Sequence, residues 1–259
     1  MKNIVIAAGY ATRLYPLTKN FPKPLLTIGN STILGRLLDD IDRIDDIDGH
    51  IIVTNHKFAG IFEDWKAKQR YTKPVTIIDD GTETNETRLG AVKDLLLAID
   101  SCTVDDDMLV VAADNILDFS LQGFVDFFKE KGTSVIMCHD EPELKKLQRT
   151  GVIAVDENMK VLQMQEKPEK PVSNWAVPPF YIYSKKDLPL IKDCMNHGCG
   201  FDAPGNLAHY LCENTDMHAW IMPGKRFDIG SLDSYEEAKI INNSKNYKHH
   251  KLIFCKSLF

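Results

Sequence analysis

The sequence predicts an α/β fold in which helices flank an open, mostly parallel β-sheet. Short apolar runs typical of strands covered on both faces lie at Ile4–Ala8, Ile51–Thr54, Val75–Ile78 and Met108–Ala112. Between these runs, apolar residues recur with helical spacing over 33–44 and 89–99. Strands that alternate with amphipathic helices are typical of βαβ units, and a Rossmann-like parallel sheet is therefore expected.

Length and charge exclude several classes of protein. The 259 residues suit one large domain, or one domain with an extension. A formal net charge of -6 gives no long-range attraction for nucleic acid or for an anionic membrane. No apolar stretch approaches the roughly 20 residues of a membrane span, and the apolar run after Lys2 is too short for a signal peptide. We expect a cytoplasmic protein with no nucleic-acid or membrane partner.

Two features that resemble metal sites have simpler interpretations. The six cysteines contain no CxxC pair, and no second cluster follows Cys194, His197 and Cys199 to complete a zinc site. Free thiols in a reducing compartment are expected instead. In the acidic stretch Asp39–Asp48, isoleucines continue the stripe of the preceding helix, which favours a solvated helix face over a calcium loop.

The pattern of elements changes after residue 131. Strand-like runs with few helices between them lie at Ser134–His139, Gly151–Val155, Val161–Glu166 and Ala176–Tyr183. They predict a small antiparallel extension that carries contacts to a second substrate. Helices are expected near Lys186–Asn196 and Asn206–Asn214, a strand at His218–Met222, and a last helix from about Asp233.

The predicted division of the chain follows from this change. A single domain over 1–243 would comprise a core (1–131), an extension (132–225) and a return to the core (226–243). The tail, 244–259, mixes lysines and histidines with apolar residues, and it is expected to pack on the body or on another subunit. A homo-oligomer is therefore left open.

The first 25 residues predict a phosphate site. The run Ile4–Ala8 breaks at Gly9 into a polar loop that holds Thr12, Arg13 and Lys23. Backbone N–H groups in a small-residue turn and a planar guanidinium are suited to phosphate oxygens. The alternative is an ordinary loop between a strand and a helix. GxxxxGK[ST] is absent, and no GxGxxG follows the first strand.

Two aspartates are candidate ligands for Mg²⁺. Asp114 follows the fourth strand, and ligands in open α/β sheets bind beyond the carboxyl ends of strands. Asp228 follows a later strand, in Arg226-Phe-Asp-Ile-Gly. Carboxylates can hold Mg²⁺ against phosphate oxygens. Asp114 could instead cap a helix near Leu121, and spacing alone does not show that the two aspartates meet.

Two further segments are candidates for substrate contacts. Glu166-Lys167 ends a strand of the extension, where the lysine could bind a phosphate and the glutamate could accept from hydroxyls. The alternative is an exposed pair before a proline turn. The polar stretch Asp79–Gly90 follows the third strand and could read a base edge, or it could be a loop with a helix cap at Asn85 or Thr87.

Taken together, these segments resemble the sugar-phosphate nucleotidyltransferases, the family of glucose-1-phosphate thymidylyltransferases and related pyrophosphorylases. The resemblance rests on IAAGYATRLYPLT (6–18) and PKPL (22–25), followed in order by Asp114, Glu166–Pro168 and Asp228–Gly230. It extends to about residue 240 and implies the GT-A-like fold of the short family members.

The resemblance also implies a reaction. A nucleoside triphosphate and a sugar 1-phosphate would give an NDP-sugar, as used in cell-surface polysaccharide biosynthesis, and pyrophosphate, with Mg²⁺ as cofactor. The acceptor phosphate would attack the α-phosphorus in line, and catalysis would consist of positioning and charge neutralisation.

The resemblance assigns roles by position. The catalytic residues would be Arg13 and Lys23, and the metal ligands Asp114 and Asp228. The nucleotide would be bound by Ala7, Ala8, Gly9, Tyr10, Ala11, Thr12, Asp80, Thr82, Asn85, Arg88 and Ala113. The acceptor would be bound by Asn115, Gly151, Glu166, Lys167 and Tyr181.

Three departures from the family pattern bear on these expectations. Ala11 replaces a glycine, which is tolerable if its φ is negative, and Ala113 replaces the glycine before the metal aspartate. Val177–Tyr181 places two prolines and an aromatic residue where sugar-specific members have small residues. A CTP-dependent enzyme acting on a non-sugar phosphate is therefore the alternative, followed by a non-catalytic nucleotide-binding regulator.

Overall fold

The computed structural model describes residues 1–241. Its strands are β1 (Lys2–Ile6), β2 (Thr27–Ile28), β3 (Ser31–Thr32), β4 (Gly49–Thr54), β5 (Val75–Asp79), β6 (Met108–Ala112), β7 (Asn115–Leu117), β8 (Ser134–Asp140), β9 (Gly151–Val155), β10 (Val161–Glu166), β11 (Trp175–Val177), β12 (Phe180–Tyr183), β13 (Met217–Ile221) and β14 (Arg226–Asp228). Its helices are α1 (Ile33–Ile41), α2 (His56–Lys66), α3 (Ala91–Ser101), α4 (Gln122–Lys131), α5 (Leu144–Leu147), α6 (Leu188–Asp193) and α7 (Gly205–Asn214), and residues 232–241 are helical. The predicted tail, 244–259, lies outside the described residues.

The four predicted strands of the core form one parallel block. β1 pairs in parallel with β4 and β6, and β4 pairs in parallel with β5. Their side chains alternate between two faces: Ile52 packs on the face that carries α1, α2 and α4, whereas Ile51 and Val53 pack on the face that carries α3, α6 and α7. Both faces of β1, β4 and β6 are covered, which confirms the expectation for these three runs. The expectation is wrong for β5, which lies at the edge of the sheet and is only partly buried.

The antiparallel strands continue the same sheet. The order is β10-β9-β11-β8-β12-β6-β1-β4-β5, with β13 beside β8. β12 is antiparallel to both β6 and β8, and so it joins the two parts. Pro178 and Pro179 divide the predicted run 176–183 into β11 and β12. The mixed, mostly parallel sheet confirms the fold class, while the domain boundaries stay a prediction.

Helix α2 was not predicted from the sequence. It begins after Asn55, whose side chain accepts from the Phe58 amide at 3.2 Å. Phe58, Phe62 and Trp65 are its buried residues and recur with helical spacing. The Asn55 cap and this spacing are the signals that could have located it.

The acidic stretch holds α1 to its neighbours. Asp40 accepts from the Leu121 amide at 2.8 Å, and Asp42 accepts from the Thr72 and Lys73 amides at 2.8 and 3.1 Å. Asp46 pairs with an exposed lysine of α4. Asp40, Asp42 and Asp46 therefore have structural roles, although Asp42 is largely buried and not on a solvated face.

Cys194 and Cys199 are free thiols, and residues 1–241 contain neither a three-residue metal site nor a helix that could span a membrane. Burial raises the pKa of Cys194 and raises that of Cys199 to about 12, so that both thiols are protonated near neutral pH. In residues 1–241 no group of three His, Cys, Asp or Glu side chains forms a metal site. Within the same range, every helix is too short or too polar to cross a membrane, and the cytoplasmic location stays a prediction.

A buried histidine lies at the amino-terminal edge of the sheet, opposite the loops that follow the parallel strands. His50 is 1% exposed, its Nδ1 faces Asn3 Nδ2 at 3.0 Å, and its Nε2 faces Asp42 Oδ1 at 3.2 Å. A neutral ring that accepts at Nδ1 and donates at Nε2 satisfies both contacts. Burial lowers the pKa of His50, and the hydrogen bond to Asp42 only partly offsets this.

We predict that His50 makes stability depend on pH. Below about 6.5, its ordinary pKa, the unfolded chain binds a proton that the folded protein does not, so stability falls as pH falls, by at most ~1.4 kcal/mol per pH unit. Urea unfolding of the wild type and of His50→Gln between pH 7.5 and 5.5 measures this contribution. The slope of the variant should be shallower, and equal slopes would contradict the assignment.

Candidate active site

A cleft opens at the carboxyl ends of the parallel strands. It contains two adjoining cavities of about 280 and 650 Å³. Gly9, Ala11 and Lys23 line the smaller cavity, and Glu166 and Lys167 line the larger one. Arg13, Asp114 and Tyr181 line both, and so they mark the boundary between the two spaces.

Hydrogen bonds hold the loop after β1 in place. Asn55 Nδ2 donates to Ala8 O at 2.8 Å, and the Ala7 amide donates to Val53 O at 2.9 Å. Thr18 Oγ1 donates to Ala11 O at 2.8 Å, just before a short 3₁₀ turn over Thr12–Leu14. The loop is therefore pinned to β4 on one side and to its own return on the other.

Ala11 has a left-handed backbone. Its φ is 48° and its ψ is 44°, so the negative φ under which alanine would be well tolerated is not what the structure has. A Cβ in this region approaches the following carbonyl and costs roughly 1–2 kcal/mol. The hydrogen bonds from Thr18 Oγ1 and from the Leu14 amide to Ala11 O hold the conformation.

Lys23 meets the first candidate metal ligand. Its Nζ donates to Asp114 Oδ2 at 2.6 Å and to Ile229 O at 2.9 Å. Lys23 lies at the start of a 3₁₀ turn after Pro22, and its side chain is largely buried. One ammonium group thus joins the amino-terminal loop to the ends of β6 and β14.

The two candidate aspartates meet through strand pairing. β14 is antiparallel to β7, with Asp228 opposite Asn115, and the Ile229 amide donates to Asp114 O at 3.0 Å. Asp228 is exposed and lines the larger cavity, but the surrounding protein displaces part of its hydration. Loss of hydration, followed by repulsion from Asp114, raises the pKa of Asp228, and Arg226, Lys23 and Arg13 oppose this shift.

The interpretation of Asp114 as a helix cap is wrong, because Asp40 accepts from the amide of Leu121, the residue before α4.

The carboxylate pair fits a divalent cation. Mg²⁺ is commonly held by one or two carboxylates, with water and phosphate oxygens completing its shell. Asp114 and Asp228 supply that number, and their mutual repulsion is what a cation would relieve. The Asp114 oxygens already accept from Lys23 Nζ and from Asn115 Nδ2 at 2.7 Å, so a bound ion would share these lone pairs.

Two glycines leave room for the Glu166 side chain at the wall of the larger cavity. A Cβ on Gly205 would overlap Glu166 Oε2, and one on Gly151 would lie 3.3 Å from the same atom. The Glu166 side chain is only 16% exposed, and burial raises its pKa, an effect that Lys167 opposes. Lys167 Nζ lies 3.7 Å from Glu166 Oε1 and is exposed. The predicted pair is thus one buried and one open group on the same cavity.

Two other predicted acceptor residues are buried beside this wall. Tyr181 lies on β12, and burial together with the nearby Glu166 carboxylate raises its pKa, so that its hydroxyl keeps its proton. Asn115 Oδ1 accepts from Arg226 Nη1 at 2.6 Å. Arg226, which was quoted only as part of the Asp228 motif, therefore orients Asn115.

The loop after β5 has its own hydrogen-bond network. Asp80 Oδ1 accepts from the Thr82 amide and from Thr82 Oγ1, both at 2.7 Å. Tyr10 Oη lies 3.3 Å from Thr82 Oγ1 and must donate to it, since the Thr82 proton is already used. Tyr10 is thereby tied to the loop that was predicted to face the base.

The loop after β5 ends at Gly90, after which α3 begins. Gly90 makes no side-chain cap, and so the alternative interpretation, with a helix cap at Asn85 or Thr87, is wrong. Arg88 Nη1 donates to Asn85 O at 2.9 Å. Among the predicted nucleotide residues, Ala7, Gly9, Ala11 and Ala113 line the smaller cavity. Ala8, Tyr10, Thr12, Asp80, Thr82, Asn85 and Arg88 line neither cavity.

Sequence reasoning missed several titratable residues. His139, Lys146, Arg149 and Asp202 line the larger cavity.

Asp94 is buried on α3, and burial together with the nearby Asp80 raises its pKa to about 7. Asp94 Oδ1 and Asp80 Oδ2 have no hydrogen-bond partner in the described chain. An aspartate inside the apolar helical spacing of 89–99 was the available signal for Asp94.

The fold and the cleft together define an α/β protein with a cationic, carboxylate-bearing site at the switch between parallel and antiparallel strands. The family model for nucleotidyl transferases matches residues 2–244. The chain therefore belongs to the nucleotidyl transferase family.

Individual relatives agree with this family. The chain is 26% identical over 248 residues to the UTP–glucose-1-phosphate uridylyltransferase AglF of Haloferax volcanii, covering 92% of this chain and 95% of that protein. It is 29% identical over 192 residues to the bifunctional protein GlmU of Methanocaldococcus jannaschii, but this match covers 74% of this chain and only 42% of that protein. The chain thus spans less than half of the bifunctional relative.

A solved structure shares the fold. It is a UDP-glucose pyrophosphorylase complexed with UDP-glucose, which superposes with a TM-score of 0.81 at 21% identity and covers 94% of this chain and 98% of that one.

We predict that Ala11→Gly stabilises the protein. Relief of the left-handed alanine outweighs the greater freedom of glycine in the unfolded chain, for a net gain of about 0.5–1 kcal/mol. Urea unfolding measures the change. Ala67→Gly is the matched control, because Ala67 is exposed at φ -60° and the same replacement should destabilise there. A loss of stability in Ala11→Gly would contradict the prediction.

Proposed function

We propose that the protein is a Mg²⁺-dependent nucleotidyltransferase that joins a nucleoside triphosphate and a sugar 1-phosphate to give an NDP-sugar and pyrophosphate. The observation that carries the proposal is the cluster of Lys23, Asp114 and Asp228 at the boundary of the two cavities. A triphosphate in the smaller cavity and an acceptor in the larger one would meet at that cluster. Family membership supports the reaction class.

The chain's own residues supply positioning and charge. Backbone amides of the loop after β1 would receive phosphate oxygens, and the exposed Arg13 guanidinium would take the departing pyrophosphate. Lys23 would neutralise charge at the α-phosphate, and Lys167 would hold the acceptor phosphate for in-line attack. Glu166 would accept from acceptor hydroxyls.

Asp114 and Asp228 would hold the Mg²⁺. When bound, the ion neutralises the developing charge on the phosphate oxygens. Because the pKa of Asp228 is raised, protons compete with Mg²⁺ for this carboxylate at pH values above those at which an ordinary aspartate is protonated.

A pyrophosphate-release screen tests the proposal. It combines CTP, UTP, GTP, ATP and dTTP with a panel of sugar 1-phosphates and with phosphocholine and other non-sugar phosphates. Turnover with a sugar 1-phosphate supports the proposed reaction. Nucleotide binding without turnover on any acceptor would overturn it in favour of a regulator.

A second candidate is a cytidylyltransferase acting on a non-sugar phosphate. The observation that favours it is the pair Pro178 and Pro179, which separates β11 from β12 where sugar-specific members of the family have small residues. Pro179 lines both cavities and so bounds the space proposed for the acceptor. Turnover confined to CTP and a phospho-alcohol or phospho-amino acid would select this candidate.

We predict that Asp114→Asn and Lys23→Ala each nearly abolish turnover. Each removes one partner of the 2.6 Å contact and with it the charge balance of the cluster. Removing charge stabilisation of this kind typically costs about 10²–10³ in kcat. Pyrophosphate release measures the rate, and circular dichroism checks folding. Lys19→Ala, on an exposed lysine of the same loop, is the control. Near-normal rates in either variant would show that the mechanism is wrong.

We predict that Lys167→Ala weakens acceptor binding and leaves nucleotide binding largely intact. Lys167 lines only the larger cavity, and a charge-assisted hydrogen bond to phosphate contributes ~1.5–3 kcal/mol, or about 10–150-fold in KM. Steady-state kinetics with each substrate varied in turn separates the two effects. Lys170→Ala, on an exposed lysine nearby, should change neither KM. A rise confined to the nucleotide KM would overturn the role of Lys167.

A further inference from the structure

The segment 201–205 forms a wall shared by the two cavities. Asp202 and Gly205 line the larger cavity, and Pro204 lines both. The segment leads into α7, which begins at Gly205, and it lies on the same side of the sheet as α3. It therefore lies between the loop after β5 and the side chains assigned to the acceptor.

An arginine and the first amides of α3 hold this segment. Arg88 Nε and Nη2 approach Asp202 Oδ1 at 3.1 and 3.0 Å. The Ala91 amide donates to Asp202 O at 3.2 Å, and the Val92 amide donates to Phe201 O at 3.0 Å. The amides that open α3 are thus satisfied by the segment, which ties its backbone to the end of the loop.

Gly90 makes this approach possible. Its φ is +94°, and a Cβ there would lie 2.6 Å from Phe201 O. No side chain fits at that distance, so glycine is required by both conformation and space. Lys93 Nζ lies 4.3 Å from the centroid of the Phe201 ring and covers the outer side of the contact.

The other end of the segment contacts the acceptor side. Gly205 lies so close to Glu166 that a Cβ would overlap Oε2. A shift of the segment therefore moves the surface against which the Glu166 carboxylate rests. Arg88 therefore contacts one end of the segment, Glu166 contacts the other end, and the backbone of 202–205 links them.

We propose that Arg88 and Asp202 are positioning residues that couple the two substrate sites. Resting on the proposed function, the inference is that nucleotide in the smaller cavity, which Ala91 and Pro204 line, orders the start of α3 together with Arg88. These contacts fix the segment 201–205 and so set Glu166 for the acceptor. Nucleotide binding then raises acceptor affinity. This gives Arg88 a role that acts through Asp202, besides any direct contact with the base.

Hydrogen exchange tests the coupling without knowledge of the acceptor. CTP, UTP, GTP, ATP and dTTP, each with Mg²⁺, are added in turn to the wild type, Arg88→Gln and Asp202→Asn. Wild-type exchange should slow in peptides covering 7–14 and 201–206, by about fivefold or more in the latter. With nucleotide at a saturating concentration, only 7–14 should slow in Asp202→Asn. Arg88→Gln should give the same pattern once enough nucleotide is added to offset any weaker binding.

The outcomes separate the coupling from the proposed function. Protection of 7–14 alone in the wild type, or protection of 201–206 that persists in both variants, overturns the coupling and leaves the nucleotide site intact. Protection of neither peptide by any nucleotide overturns both. Asp216→Asn is the matched control, because the Lys160–Asp216 pair is 41% and 66% exposed, close to 43% and 57% for Arg88 and Asp202.

Kinetics supplies a second readout. With glucose 1-phosphate as the probe acceptor, Asp202→Asn should raise the acceptor KM about fivefold or more, with a smaller change in kcat. Asp202→Glu, which keeps the charge, should recover part of the loss. An unchanged acceptor KM in Asp202→Asn, with the wild type active, would overturn the proposal.

Discussion

Two carboxylates that meet beside one lysine set the constraint on which the cleft depends. Loss of hydration and repulsion from Asp114 raise the pKa of Asp228, so the two carboxylates need nearby positive charge. Lys23 supplies it by bonding to Asp114 and to Ile229 O. The loop after β1, the end of β6 and the β14 segment therefore each hold one part of the cluster, and a change in any of them disturbs the other two.

The sequence was most informative where one short stretch decides the outcome. The bounds predicted for the strands at Met108–Ala112, Gly151–Val155 and Val161–Glu166 match the structure, because continuous or alternating apolar residues leave few other ways to bury them. The loop that holds Gly9, Arg13 and Lys23 was located in the same way, by an apolar run ending in a small-residue turn. Local patterns were sufficient for these features.

The remainder depends on contacts between distant parts of the chain. The pairing of β7 with β14 brings Asp228 to Asp114, and no spacing within either segment reveals it. The positive φ of Ala11 is imposed by Thr18 and Leu14, against the preference of alanine itself. Arg88 lies in a polar loop whose sequence suggested substrate contacts, yet its partner Asp202 is supplied by a segment far along the chain.

The continuity of the sheet decides which parts of the cleft can adjust. β12 is hydrogen-bonded to β6 on one side and to β8 on the other, so the backbone itself fixes the walls that Tyr181 shares between the cavities. The proposed in-line attack on a phosphorus atom would require the reacting groups to be held within about 0.5 Å of the productive geometry. A ladder of backbone hydrogen bonds suits that requirement better than a hinge between domains. Adjustment to substrates is then left to loops outside the ladder, and the segment 201–205 is one that contacts both sides.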